Sequence, residues 1–277
     1  MLAITSLIAI GCSKNMGAVG KNPTIEQAWE TTQELRVPES VMYDSKSGNV
    51  FVANINGKPT EKNGMGFIAV LSLDGTIQNL KWATGLNAPK GMGIMDRTLY
   101  VTDIDRVHAI DIATGSIKQT WEVEGARFLN DIAIGGDGAV YITDMLMGTI
   151  HVIRGGSLDT FLMFEYKRPN GLFISGHDLL VGTAEGLLKI DLQTKTVSVI
   201  IEHKGGIDGI KPIGGGRYVI SDWKGKTQVI QSGKQPLVLL DTTAAKINAA
   251  DFEYITDRNL ILIPTFFDNR VVAYRLK

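Results

Sequence analysis

One four-residue step recurs six times in this 277-residue chain: an apolar residue or proline, a polar residue, a usually small residue, then usually an apolar run. The copies are Pro38-Glu39-Ser40-Val41, Pro89-Lys90-Gly91-Met92, Leu129-Asn130-Asp131-Ile132, Pro169-Asn170-Gly171-Leu172, Ile207-Asp208-Gly209-Ile210 and Ala250-Asp251-Phe252-Glu253. Their polar members are separated by 51, 40, 40, 38 and 43 residues. Self-similarity at roughly 40–45 residues with strand-like content is the signature of a β-propeller, one blade per repeat. Six polar residues from equivalent places then converge on one end of a central channel.

The intervals between the steps read as four short strands each. Blade two has Gly91-Met92-Gly93-Ile94, Thr98-Leu99-Tyr100-Val101-Thr102-Asp103, Val107-His108-Ala109-Ile110-Asp111-Ile112 and Ser116-Ile117-Lys118-Gln119-Thr120-Trp121, runs rich in β-branched and aromatic residues separated by Asp/Gly turns. Blades three, four and five repeat the pattern, and a polar insertion from Asn56 to Gly64 lengthens blade one. Blade six ends with the chain after three strands. An unassigned segment, Ile25 to Thr32, precedes blade one, and an unpaired blade edge is costly. The expected fold is therefore all-β: a six-bladed propeller of four-stranded blades over residues 24–277, closed by an N-terminal strand that completes the last blade.

Residues 1–23 read as a signal and tether. Leu2 to Ile10 is an apolar run too short to span a bilayer, followed by Gly11-Cys12-Ser13. A small residue before cysteine resembles a bacterial lipoprotein signal, which would lipidate Cys12 and place the protein in the periplasm or on a membrane through that anchor. An apolar strand with a buried cysteine is the alternative. Cys12 is the sole cysteine, so no intrachain disulfide forms. Net charge is −1, with no basic run, which excludes nucleic acid and acidic lipid as electrostatic partners.

The ring itself comprises Glu39, Lys90, Asn130, Asn170, Asp208 and Asp251. Three carboxylates and two amide carbonyls are oxygen donors, which suit a hard cation such as Ca²⁺. No cysteine joins them, and His108, His151, His177 and His203 lie on later strands or outer turns, which disfavours zinc. Repelling carboxylates need a positive partner, and either a cation or Lys90 supplies one. Alternatively, these residues line a wet channel and bind nothing. Gly214-Gly215-Gly216 leads into a strand and is a turn, not a phosphate cradle. Gly135-Gly136-Asp137-Gly138 lacks the spaced acids of an EF-hand loop and is a hairpin turn. There is no Gly-x-Ser-x-Gly elbow. Trp29, Trp82, Trp121 and Trp223 fall in or beside strands and are expected to pack.

Pro169-Asn170-Gly171, Ile207-Asp208-Gly209, Asn130-Asp131 and the early Glu39, in that blade order, resemble the gluconolactonase/senescence-marker-protein (regucalcin-like) family of six-bladed propellers. The resemblance spans residues 38 to 277. It implies that Glu39, Asn170 and Asp208 hold a divalent cation (Ca²⁺, or Mg²⁺, Mn²⁺ or Zn²⁺) and that Asn130 lies beside them. The implied activity is hydrolysis of a sugar lactone or related ester. Asp208 would serve as ligand and base, Asn130 and Arg127 would orient the substrate, and Lys90 and Asp251 would add contacts. The sequence departs from the family pattern where Ser40-Val41 follows Glu39, where Arg127 stands three rather than two residues before Asn130, and where Lys90 enters the ring. These departures leave open a second class of function, a non-catalytic exported propeller whose mouth binds a peptide, glycan or protein partner.

Overall fold

The computed structural model describes residues 22–163 and 165–277. Its strands form six four-stranded antiparallel sheets. The innermost strands are Pro38–Asp44, Pro89–Met95, Leu129–Ile134, Leu172–Ser175, Ile210–Gly214 and Glu253–Ile255. Each blade then runs outward through consecutive strands, except the sixth. There the outer place is taken by Ile25–Glu30, which pairs antiparallel with Val271–Leu276 from Ile25↔Leu276 to Glu30↔Val272. The segment that opens the propeller thus covers the edge left by the final strand, as the strand count requires. Among the described residues the only helical elements are three 3₁₀ turns, and none is long and apolar enough to cross a membrane. Cys12 and the signal-like run lie outside the described residues.

Successive side chains point to opposite faces and the middle strands carry near-continuous apolar runs, as in the fully buried Gly66–Leu71, so each blade buries both faces against its neighbours. Val41, Val50 and Leu71 of blade one meet Leu262 and Val271 of blade six. Phe51 and Ile68 meet Met92 and Val101 across the next boundary, and equivalent clusters fill the remaining four. The turn expectations hold: Gly138 N–H closes on Gly135 O at 2.9 Å, and Gly214, Gly215 and Gly216 all adopt positive φ between a hairpin's strands.

The recurring step is a β-bulge. In blade one Pro38 faces Asn54 while Ser40 faces Ala53, so Glu39 is an extra residue. Blades two and three gain one residue between Pro89 and Met92 and between Leu129 and Ile132. In blades four and five, Gly182 bonds both Asn170 and Gly171, and Ser221 bonds both Asp208 and Gly209. An extra residue interrupts the in–out alternation and re-aims one side chain. In blades four to six regular pairing starts only after the bulge, so Asn170, Asp208 and Asp251 precede their strands rather than open them.

Each bulge is stitched to the next blade. Ser40 Oγ donates to Lys90 O (2.6 Å), Thr102 Oγ1 to Asn130 O (2.5 Å), Thr143 Oγ1 to Asn170 O (3.0 Å) and Ser221 Oγ to Ala250 O (2.8 Å). Gly171 N–H reaches Ile207 O at 3.4 Å, and Asp251 N–H closes the circle on Glu39 O at 3.1 Å. This close approach explains the small third residue. A Cβ on Gly91 would lie 2.4 Å from Asn130 O, and one on Gly171 would lie 2.0 Å from Asp208 O.

Candidate functional site

Five of the six ring residues, Glu39, Lys90, Asn130, Asn170 and Asp208, line one cavity of about 440 Å³ at the channel mouth. The sixth, Asp251, is not part of that wall. Its Oδ1 lies beside Gly209, one residue further along the fifth blade than Asp208, where a Cβ would come within 2.9 Å of it, and it sits further down the channel towards Asp131 and Lys211. Arg127 is exposed and is not part of the cavity wall, and among the described residues only its backbone N–H is engaged, by Asp144 Oδ2 at 2.8 Å.

Asn130, Asn170 and Asp208 form a hydrogen-bonded chain. Asn130 Nδ2 donates to Asn170 Oδ1, and Asn170 Nδ2 donates to Asp208 Oδ1 at 2.8 Å. Asn170 thus uses both its oxygen and its nitrogen on ring neighbours, and Asn130 its nitrogen. Glu39 is 6% exposed, and its Oε2 has no hydrogen-bond partner among the described residues. Such an atom costs on the order of 1–3 kcal/mol when left dry, more if charged. Burial, then repulsion from Asp208, pushes Glu39 well above the usual carboxylate range despite Lys90. Burial likewise raises Asp208 to about 7; the Asn170 hydrogen bond opposes the rise, and Asp131 and Asp222 add to it.

Lys90 is fully buried. Its ammonium donates to Ala88 O at 2.9 Å and lies 4.6 Å from the Phe128 ring centroid, a geometry in which the ring face attracts a cation. Among the described residues no carboxylate comes within the 4.0 Å of an ion pair to it. Burial lowers its pKa to about 8, with Glu39 and Asp103 holding it from falling further.

The sequence did not single out the rest of the wall. Phe128, Met145, Ile207, Trp223 and Phe266 supply apolar surface, and Asp222, Arg168 and Lys224 supply charge. Three tryptophans pack as expected: Trp29 against the core between blades six and one, Trp82 on Phe51 and Trp121 on Tyr100. Trp223 instead stands 43% exposed at the mouth, edge-on to Phe266 with centroids 5.4 Å apart. Phe266 holds φ at +52° and Arg168 at +58°. Bulky residues rarely adopt that backbone, and strain of this kind concentrates at functional sites. The available signal was positional: these residues sit one or two places beyond a strand end or before a ring step.

Below the mouth lies a second ionic group that the sequence reading also missed. Lys211 Nζ is 3.3 Å from Glu253 Oε1. Asp131 accepts from Leu172 N–H at 2.5 Å and Ile132 N–H at 2.7 Å. Burial raises Asp131 to about 7 against these bonds and Lys211. Among the described residues no three Cys, His, Asp or Glu side chains cluster as a metal site, so amide oxygens would have to complete any donor set at the mouth.

No family model matches the chain, and no curated protein matches it. Solved structures do. A virginiamycin B lyase from Staphylococcus aureus, crystallised with quinupristin as a catalytically inactive histidine-to-alanine variant, superposes with a TM-score of 0.62 at 15% identity, covering 92% of this chain and 99% of the other. A streptogramin B lyase gives 0.65 at 13% identity, covering 92% and 98%. The selenomethionine form of the S. aureus enzyme gives 0.65 at 14%, covering 92% and 99%. The likeness shows the fold: a six-bladed propeller.

Proposed function

We propose that the protein is a divalent-cation-assisted hydrolase of a lactone or related ester, acting at the channel mouth. The observation that carries this reading is the unpartnered Oε2 of buried Glu39, electrostatically coupled to Asp208. Two buried carboxylates that repel one another, with no ammonium in contact, suit a hard cation. Glu39, Asp208 and the amide oxygen of Asn170 would hold it, the last after a half-turn of an amide whose nitrogen now faces Asp208. When bound, the cation polarises the ester carbonyl as a Lewis acid.

This chain's own residues supply the rest. Asp208 accepts a proton from the attacking water as its oxygen bonds to the carbonyl carbon. When the tetrahedral intermediate collapses, the carbon–oxygen ester bond breaks and the leaving oxygen takes that proton, giving a hydroxy acid. Asn130, turned in the same sense so that its oxygen accepts from Asn170 Nδ2, holds Asn170 in register. Asp251, deeper in the channel, and Arg127, outside it, receive no direct contact in this account.

The regucalcin-like motif order supports a lactone. The lyase neighbours support a small-molecule ligand at a propeller of this shape, one of them being bound to quinupristin. A histidine is lost in that inactive neighbour, whereas among the described residues no histidine lines this mouth, which favours carboxylate-driven hydrolysis over a histidine-driven lyase step. Export through a lipid anchor at Cys12 belongs to the same proposal. Turnover of a lactone panel, assayed with the protein as purified, after chelation and after Ca²⁺ is restored, tests the reading. Activity lost with chelator and regained with Ca²⁺ supports it; activity indifferent to chelator overturns it.

A further inference from the structure

We infer that the ligand of this mouth is an apolar, preferably aromatic, molecule carrying one anionic group, with the anion seated against Lys90 and the apolar body between Phe128 and the Trp223–Phe266 pair. This rests on the hydrolase reading only for where the reaction occurs. It narrows the substrate class away from polyhydroxylated sugar lactones and toward aryl or acyl esters that bear an acid.

A sugar needs a donor or acceptor for every hydroxyl it buries, and an unmatched hydroxyl costs on the order of 1–3 kcal/mol. Of the neutral polar side chains of the ring, Asn170 already bonds Asn130 and Asp208, and Asn130 has given its nitrogen to Asn170. Half of the remaining wall residues are aromatic or aliphatic, Phe128, Trp223 and Phe266 among them. Those surfaces gain from burying rings and chains, roughly 25 cal/mol per Å², and offer a hydroxyl no hydrogen bond.

Lys90 supplies the anion preference. An ammonium has three donors, and one is used on Ala88 O. The chain has buried this group completely, on an aromatic face and beside a cavity, without giving it a carboxylate contact. A charge held dry without a counter-ion is costly, and an incoming carboxylate removes that cost. At the rim, Arg168 and Lys224 are further cations on the approach. The exposed apolar residues Leu146, Met147, Trp223 and Phe267 all lie on loops between the second and third strands of their blades, at this same end of the molecule.

Equilibrium titration of metal-free protein tests the inference, because no cation is then present to supply the anion contact. The probes are phenylbutyrate, phenylbutanol and gluconate: ring with charge, ring without, charge without ring. Phenylbutyrate should bind about 10-fold or more tightly than either other probe, and should quench Trp223 fluorescence relative to the Trp223→Ala variant. Lys90→Met should reduce phenylbutyrate to the affinity of phenylbutanol. Should that variant fail to fold, the phenylbutyrate/phenylbutanol ratio in the wild type still reads the requirement for charge. Gluconate binding as well as phenylbutyrate, phenylbutanol matching phenylbutyrate, or no phenylbutyrate binding up to about 10 mM each overturns the inference. Binding without any ester turnover would leave this inference standing and remove the hydrolase reading; turnover with gluconate-like preference would do the reverse.

Discussion

Down the channel, the Lys211 ammonium lies 3.3 Å from Glu253, and both oxygens of Asp131 receive backbone N–H groups. At the mouth, Glu39 keeps an oxygen with no partner and Lys90 touches no carboxylate. The same side-chain types, set in the same six-fold frame, are neutralised in one place and left unneutralised in the other. The difference separates structural charge from functional charge. Burial alone would lower Lys211, yet Glu253, Asp251 and Asp131 outweigh it and hold its pKa up. Burial wins at Lys90, which falls to about 8. Charges that complete each other hold the blades together, whereas charges left incomplete are available to a ligand.

The largest expected break in this contrast is Asp208→Asn. Loss of the general base should lower kcat about 10³-fold while the melting temperature of metal-free protein stays level or rises; steady-state kinetics beside calorimetry would check both. Lys211→Met should do the opposite. Leaving Glu253, Asp251 and Asp131 without their cation should cost roughly 3 kcal/mol of stability, read by urea unfolding. An unchanged urea midpoint would show that the lower group is not structural.

The pH dependence sharpens the comparison. Asp208 and Asp131 titrate near 7 in the fold, raised from 3.8 by burial above all. A carboxyl whose pKa rises on folding contributes stability that is fully present below its unfolded value and disappears as pH climbs through its folded value. Metal-free wild type should therefore lose stability relative to Asp208→Asn between about pH 4 and 7, by up to about 4 kcal/mol. Thermal melts of the two proteins across that window, compared as a difference, isolate the Asp208 share. The smallest effect belongs to Glu39→Gln. It exchanges a carboxyl whose charged form burial disfavours for a neutral amide of the same shape, so metal-free stability should change by no more than about 1 kcal/mol, while cation binding is lost.

The propeller was legible because its signals are local and repeated. A fixed period, Asp/Gly turns and three strands left after the sixth step suffice for six blades and for closure by the segment around Ile25–Glu30. The convergence of Glu39, Lys90, Asn130, Asn170 and Asp208 was legible for the same reason. What the sequence concealed depends on a single extra residue per blade. The bulges decide which side chains enter the mouth, and they leave Asp251 deeper than its equivalents. Trp223 looked like packing because it adjoins a strand, but the loop after Asp222 carries it over the mouth. Lys211 and Glu253 lie in the fifth and sixth inner strands, and only their three-dimensional pairing gives them meaning.

Calorimetric titration of metal-free wild type and Glu39→Gln with Ca²⁺ tests the central claim, that the mouth's unneutralised oxygens form a cation site. One site per chain in the wild type, absent from the variant, is the predicted result. A wild type that takes up no Ca²⁺, or a variant that binds it equally well, would contradict the account.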